Sequence, residues 1–130
     1  MIVHLTTKTD WKAAQEVGTY RAESLETQGF IHCSTSEQIL GVANSFYRGI
    51  PALVLLWIDP GRVLAEVRWE APIHPAARTL DSTRGERPPD KNAELFPHIY
   101  GPINLEAVIG VVDFLPDAEG VFQEVPIQSG

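Results

Sequence analysis

The chain has 130 residues, of which 44% are hydrophobic and 21% charged, and its formal net charge is -7 at pH 7. This length can bury one hydrophobic core without disulfides or metal ions, and the composition excludes a disordered chain. The acidic charge disfavours long nucleic acids and membrane surfaces as partners, because both are polyanionic. The single cysteine, Cys33, cannot form an internal disulfide, which favours a reducing, cytoplasmic location.

No segment has the pattern of a targeting or membrane-spanning element. The N-terminus lacks the basic and apolar regions of a signal peptide and begins directly with a strand-like segment. The longest apolar run, residues 50–58, contains Pro51 and is too short to span a bilayer. We therefore predict a single cytoplasmic domain over residues 1–130.

The N-terminal segment predicts a strand followed by a helix. Residues 2–6 are rich in β-branched and apolar side chains, which favours a strand. Thr7 or Thr9 can cap a helix over residues 10–17, and Gly18 is placed to end it.

A second strand and helix follow a polar stretch. Residues 29–34 have the aromatic and β-branched content of a strand. Ser34 and Glu37 fit a capping box, which predicts a helix that ends near Gly49. The apolar face of that helix has helical spacing and consists of Ile39, Ala43 and Phe46, with Leu40 and Tyr47 beside them.

The middle of the chain predicts a β-hairpin. Residues 52–59 form a continuous apolar run, typical of a central strand that is buried on both faces. Asp59-Pro60-Gly61 fits a turn, and residues 63–70 then alternate. One side of this alternation carries Val63, Ala65, Val67 and Trp69; the other carries Leu64, Glu66, Arg68 and Glu70.

The last part of the chain predicts a long loop and three short strands. Prolines are frequent over residues 71–97, so we expect a loop there, and a loop of that length in a compact domain is usually functional or disordered. Strands are predicted over residues 98–100, 108–115 and 121–125. The fold class is therefore α+β, a mostly antiparallel twisted sheet with two main helices packed on it. Its exposed edges leave dimerisation open.

Two segments repeat a small pattern, His4-Leu5-Thr6 and His32-Cys33-Ser34. Residues two apart on a strand share a face, so His4 with Thr6, and His32 with Ser34, can line one wall if both strands lie in one sheet. Imidazole can bind, donate or accept protons near neutral pH, and we take both histidines as candidate catalytic groups. The alternative is structural, because strand histidines often serve the fold alone.

A third polar segment spans residues 97–101, where His98 and Tyr100 share a strand face. We expect it to join the two histidine pairs in one ligand-binding pocket, with Glu70 at the end of its strand as a further candidate. Cys33 is expected in the core, because it lies on the face of the strand opposite to His32. A zinc site from the three histidines lacks a dense ligand motif, so no metal site is predicted.

Two motifs, Gly29-Phe30-Ile31-His32-Cys33-Ser34 and Phe96-Pro97-His98-Ile99-Tyr100-Gly101-Pro102, resemble those of domain-of-unknown-function family nine hundred fifty-two, a family of small bacterial proteins. The resemblance covers nearly the whole chain apart from residues 76–94 and the tail. The family is grouped with the ADP-ribosyltransferase-like fold, nearest to the RNA 2′-phosphotransferases, which use NAD.

This resemblance implies an NAD pocket. His4 would bond the ribose on the nicotinamide side, His32 would lie beside it, and Tyr100 or Tyr20 could stack on the nicotinamide. The chain departs from the enzymes in two respects. Leu5 replaces a glycine that usually follows the first histidine, and no glutamate or set of phosphate-binding arginines can be matched to theirs.

Three functions follow as hypotheses. The first is an NAD-dependent enzyme that transfers ADP-ribosyl or phosphate groups. The second is a two-histidine phosphoesterase, in which His4 and His32 serve as base and acid. The third is a non-catalytic domain that binds a small, nucleotide-like ligand, as the missing glutamate and arginines suggest.

Overall fold

The computed structural model describes residues 1–71 and 95–125, an α+β arrangement of antiparallel strands and three helices. The strands are β1 (Ile2–Thr7), β2 (Thr19–Tyr20), β3 (Ile31–His32), β4 (Leu53–Ile58), β5 (Glu66–Glu70), β6 (Phe96–Tyr100), β7 (Ile103–Asn104) and β8 (Val108–Phe114). The helices are α1 (Lys8–Val17), α2 (Glu23–Thr27) and α3 (Ile39–Phe46). None of these helices is long and apolar enough to cross a membrane.

The strands form two three-stranded sheets and one two-stranded sheet. The orders are β1-β4-β8, β3-β6-β5 and β2-β7. Among the residues described, one isolated backbone bridge, Val3 to Ser34, links β1 to the segment just after β3 and so connects the two larger sheets. The predicted antiparallel α+β class is confirmed, and the site residues of β1 and β3 become neighbours at this bridge.

Both faces of strands β1 and β4 are buried, because these two strands alternate between two apolar clusters. Ile2 packs in one cluster and Val3 and Leu5 pack in the other. His4 and Thr6, which alternate with Val3 and Leu5, are also buried and share the face of Ile2. The predicted pairing of His4 with Thr6 on one face of the strand is confirmed.

The predicted hairpin of residues 52–59 and 63–70 is wrong. Strand β4 pairs with β1 and β8, one on each side, so no edge of β4 is left for β5. Strand β5 pairs with β6 instead. A short turn at Asp59 brings the chain out of one sheet and into the other.

The two predicted helix starts have different outcomes. Thr7 caps α1, since its Oγ1 accepts from the Asp10 N–H at 3.0 Å, and Gly18 ends the helix with a φ of 105°. Ser34 does not cap α3, which begins at Ile39, and its backbone bonds Val3. The reciprocal bonds lie one residue on: Gln38 N–H donates to Thr35 Oγ1, and Thr35 N–H donates to Gln38 Oε1.

Several smaller features differ from the sequence expectations. Strand β2 and helix α2 lie in the polar segment between residues 19 and 28, for which the sequence predicted no element. Helix α3 ends at Phe46 rather than near Gly49. Phe96 and Pro97 belong to β6, because Pro97 needs no N–H there and its carbonyl accepts from Cys33. The rest of the predicted loop, residues 72–94, lies outside the described residues.

Residues 121–125 form no strand in the structure, and Asn44 explains why they still pack. The Asn44 amide bonds Phe122 in both directions: Oδ1 accepts from its N–H at 2.8 Å and Nδ2 donates to its carbonyl at 3.0 Å. A single side chain thus replaces a strand ladder. It holds Phe122 against Phe114, whose ring centroid lies 4.7 Å away.

We expect Asn44→Ala to lower the free energy of unfolding by about 2 kcal/mol, since two partly buried hydrogen bonds are lost. Asn44→Asp should cost at least as much, because its second oxygen would face the Phe122 carbonyl. Urea unfolding followed by tryptophan fluorescence measures both changes. Wild-type stability in either variant would contradict this account of the C-terminal segment.

Candidate functional site

A cavity of about 320 Å³ lies beside the buried face of β1, next to the first turns of α1 and α2. We call it the His4 cavity. Its volume is near the lower end of the range for small-molecule pockets. Its polar lining includes His4, Thr6, Asp10, Tyr20, Glu23 and His32.

Three side chains in this cavity form a continuous hydrogen-bonded chain. His4 Nδ1 lies 2.5 Å from the His32 carbonyl oxygen, and His4 Nε2 lies 2.9 Å from the Tyr20 hydroxyl. The Tyr20 and Thr6 hydroxyl oxygens are 3.0 Å apart. All three side chains are buried, with His4 only 7% exposed.

The carbonyl at one end fixes the direction of this chain. A carbonyl only accepts, so His4 Nδ1 must carry a proton and donate it to His32. In a neutral ring, Nε2 then accepts, and Tyr20 O–H is its donor. The Tyr20 oxygen is left to accept from Thr6. The order is therefore Thr6 to Tyr20 to His4 to the His32 carbonyl.

Burial keeps both ring systems uncharged. Desolvation lowers the pKa of His4 to about 4, and the pKa of Tyr20 is raised to about 12 by its burial. Burial therefore disfavours both the imidazolium of His4 and the phenolate of Tyr20, the two ions that a proton transfer between them would create. The pair is thus poorly suited to proton transfer.

His32 connects the His4 cavity to a second polar cluster. Its Nε2 lies 2.5 Å from Gln28 Oε1, an acceptor, so Nε2 carries a proton. Its ring contacts Phe30 and His98, with centroids 4.9 and 5.4 Å away. His32 and His98 are directly opposite each other in the pairing of β3 with β6.

The second cluster is built around the Glu70 carboxylate. Glu70 Oε1 accepts from Tyr100 O–H at 2.6 Å and from His98 Nδ1–H at 2.8 Å. These two bonds, with the Tyr100 bond the larger cause, lower the pKa of Glu70, and the same bond raises the pKa of Tyr100. The carboxylate is therefore ionised and held in a fixed orientation.

Aromatic stacking fixes the side chains around this carboxylate. Phe30 stacks on His98 with centroids 4.3 Å apart, and His98 is 1% exposed. The Arg68 guanidinium lies 4.5 Å from the Tyr100 ring centroid while it bonds Glu66. The cluster is thus a rigid polar network on β5 and β6.

The structure divides the predicted site residues into two groups. His4, Thr6, Tyr20 and His32 line the His4 cavity. Glu70, His98 and Tyr100 lie in the second cluster, because β3 stands between β1 and β6. Ser34 is buried with its backbone in the bridge to Val3.

Sequence reasoning missed four residues of the site. Gln28 sets the protonated nitrogen of His32, and Asp10, Glu23 and Tyr47 line the His4 cavity. The position of Asp10 could have been predicted from the sequence, because a helix that directly follows a strand brings its first turn over the end of that strand. Gln28 and Glu23 come from a polar segment without a distinctive pattern, whereas Tyr47 lies beside the apolar face of the predicted helix, which indicated packing rather than a site.

The charged side chains that line the His4 cavity are carboxylates, while Arg21 lines an adjoining cavity of about 440 Å³ together with Asp10 and Glu23. Among residues 1–71 and 95–125, two carboxylates line the His4 cavity and no lysine or arginine does. Within the same ranges, no three His, Cys, Asp or Glu side chains converge as metal ligands. Another cavity, of about 520 Å³, is lined by Asp113 and Asp117 but by no histidine or tyrosine. The His4 cavity therefore has the greater variety of titratable and hydrogen-bonding side chains.

Stability should fall with acid because His4 is buried uncharged. The unfolded chain takes up a proton at His4 below about pH 6.5, and the folded chain does so only near pH 4. This histidine should thus remove about 2 kcal/mol of stability between pH 7.5 and pH 5. Urea unfolding at both pH values measures the loss. His4→Gln should show a correspondingly smaller difference; an equal difference would contradict a neutral His4.

In the second cluster we expect Glu70→Gln to lower the pKa of Tyr100, because the negative charge that holds the phenol proton is removed. NMR titration of ¹³Cζ-labelled tyrosine follows this group separately. The resonances of Tyr20 and Tyr47 should not move, as neither contacts Glu70. An unchanged Tyr100 titration would show that the 2.6 Å bond is absent in solution.

Comparisons with known proteins find one protein family and the solved structures of one bacterial protein. No curated protein matches it. Two crystal structures of protein CC0527 from Caulobacter crescentus, one of them of a double mutant, share 28% identity with it and cover 94% of this chain and 92% of theirs, with a TM-score of 0.73. The solution NMR structure of CC0527 gives 28% identity, a TM-score of 0.69 and coverage of 94% and 90%. The family model described as "Protein of unknown function (DUF952)" matches residues 5–111, and the chain therefore belongs to that family.

Proposed function

We propose that this domain binds a small molecule in the His4 cavity, and that the ligand is NAD or a compound resembling its nicotinamide riboside end. The observation that carries the proposal is the oriented chain of Thr6, Tyr20 and His4 along the wall of an open cavity. Hydroxyls held in one orientation recognise ribose hydroxyls at little entropic cost. The family that the two sequence motifs resemble is grouped with NAD-dependent enzymes, and this expectation points to the same ligand.

The proposal assigns a changed role to His4. Both of its ring nitrogens are already bonded, to the His32 carbonyl and to Tyr20, so His4 has no free nitrogen for a ribose. Tyr20 and Thr6 would contact the ligand, and His4 would hold Tyr20 in position. The cavity of about 320 Å³ suits one ring and its sugar rather than a whole dinucleotide.

Transfer of an ADP-ribosyl group is a second form of the proposal, favoured by Asp10 and Glu23. When nicotinamide leaves NAD, positive charge develops at the ribose carbon, and carboxylates at the cavity would stabilise it. A non-catalytic binding domain is favoured instead by the locked, uncharged His4 and Tyr20. Release of nicotinamide from NAD by the pure protein distinguishes the two.

The two-histidine phosphoesterase is a poorer match for this geometry. Such an enzyme needs one protonated imidazole to act as acid, and the burial of His4 disfavours the protonated form. A phosphate would also enter a cavity where, within the part of the chain described, carboxylates are present without a compensating cation.

We expect NAD or nicotinamide riboside to bind the wild type and to lose about tenfold in affinity in Tyr20→Phe, because one hydroxyl contact is removed. Saturation-transfer NMR detects the binding, and a titration measures the change. Tyr100→Phe is the matched control: it also removes one hydroxyl, but from the second cluster, and should leave the affinity unchanged.

Two results would contradict the proposal. One is the absence of saturation transfer to NAD, ADP-ribose and nicotinamide riboside at millimolar concentration. The other is an equal loss of affinity in the Tyr20 and Tyr100 variants, which would place the ligand elsewhere or reflect a general loss of folding. Urea unfolding of both variants separates these last two explanations.

A further inference from the structure

The His4 cavity combines aromatic, apolar and acidic groups in a way that the binding of NAD alone does not explain. Two phenol rings, Tyr20 and Tyr47, line it together, and Leu5 and Leu53 supply apolar surface. Aromatic faces attract cations, most strongly where water is excluded. Apolar surface next to them suits an organic ion rather than a hydrated inorganic one.

The carboxylates at this cavity are available to a ligand. Asp10 and Glu23 both line it, and neither takes part in an ion pair among the residues described. The phenols next to them stay uncharged, since burial raises the pKa of both Tyr20 and Tyr47. The two carboxylates are therefore the formal charges of the cavity.

Two helices begin at the His4 cavity, and the start of a helix attracts anions. Thr7 caps α1, and Ala22 precedes α2, and both residues line the cavity. A helix start carries about half a positive charge, and α2, with five residues, carries less. Together the helix starts supply at most about one positive charge against two full negative charges. The carboxylates prevail, and the cavity is negative overall.

We propose that the His4 cavity selects an organic cation, a compact ring that carries one positive charge and no phosphate inside the cavity. The inference deepens the proposed function, on which it rests through the shared cavity. In NAD the matching part is the nicotinamide ring, a pyridinium ion, and the diphosphate would lie outside. Smaller N-substituted pyridinium ions would then bind without any nucleotide.

Three rings of nearly equal shape test the inference: 1-methylnicotinamide is a cation, nicotinamide is uncharged and nicotinate is an anion at neutral pH. Affinities come from ligand-observed NMR titrations of the intact chain at pH 7.5. We expect the cation to bind at least about tenfold more tightly than nicotinamide, and nicotinate to bind most weakly. Added salt should reduce the preference, because both carboxylates are exposed.

A double variant, Asp10→Asn with Glu23→Gln, should abolish the preference for the cation, so that 1-methylnicotinamide and nicotinamide bind with equal affinity. Glu16→Gln with Glu37→Gln is the matched control, since it makes the same change in net charge at exposed residues that do not line the cavity. The control should retain the preference. Loss of preference in both would mean that the overall charge of the protein, not the cavity, attracts the cation.

The outcomes separate this inference from the proposed function. Binding of NAD with equal affinities for 1-methylnicotinamide and nicotinamide would overturn the cation selectivity and leave the NAD pocket standing. Tight binding of 1-methylnicotinamide without binding of NAD or nicotinamide riboside would support the selectivity and overturn the proposed ligand. Tighter binding of nicotinate than of 1-methylnicotinamide would show that the helix starts outweigh the carboxylates.

Discussion

The site depends on the short junction between β1 and β3. Only one pair of backbone bonds joins the two strands, Val3 N–H to the Ser34 carbonyl at 2.8 Å and Ser34 N–H to the Val3 carbonyl at 2.9 Å. The next residue along β1, His4, then uses its side chain where a ladder bond would otherwise lie, and donates to the His32 carbonyl. One imidazole thereby satisfies a backbone group and connects two sheets.

The chemistry of the cavity follows from that bond. Because the carbonyl of His32 accepts only, it settles which nitrogen of His4 is protonated, and so the direction in which Tyr20 and Thr6 donate. The same burial that makes the junction stable keeps the imidazole uncharged. A residue that resembles a catalytic base in the sequence thus acts first as a connector, and the formal charge of the cavity comes from the exposed carboxylates of two helix starts.

Strand alternation was the most reliable guide from sequence to structure. It placed His4 with Thr6 and put Cys33 in the core, because a period of two follows from backbone geometry alone. Pairing partners were not accessible in this way. The turn at Asp59 suggested that β4 and β5 form a hairpin. Strand β4 instead pairs with β1 and β8, which are distant in the sequence. Tyr20, known only through a family resemblance, reaches His4 because β2 pairs with β7.

The repeated pattern of histidine and hydroxyl residue illustrates the same limit. In His4-Leu5-Thr6 both polar side chains meet on Tyr20, which lies between them. In His32-Cys33-Ser34 the histidine bonds Gln28, while the serine contributes its backbone to the bridge with Val3. Identical spacing therefore produces a hydrogen-bonded wall of the His4 cavity in one segment and a strand junction in the other. Since the two histidines have different partners and different surroundings, they form no symmetric acid and base pair, and this asymmetry favours recognition of a ligand over two-histidine catalysis.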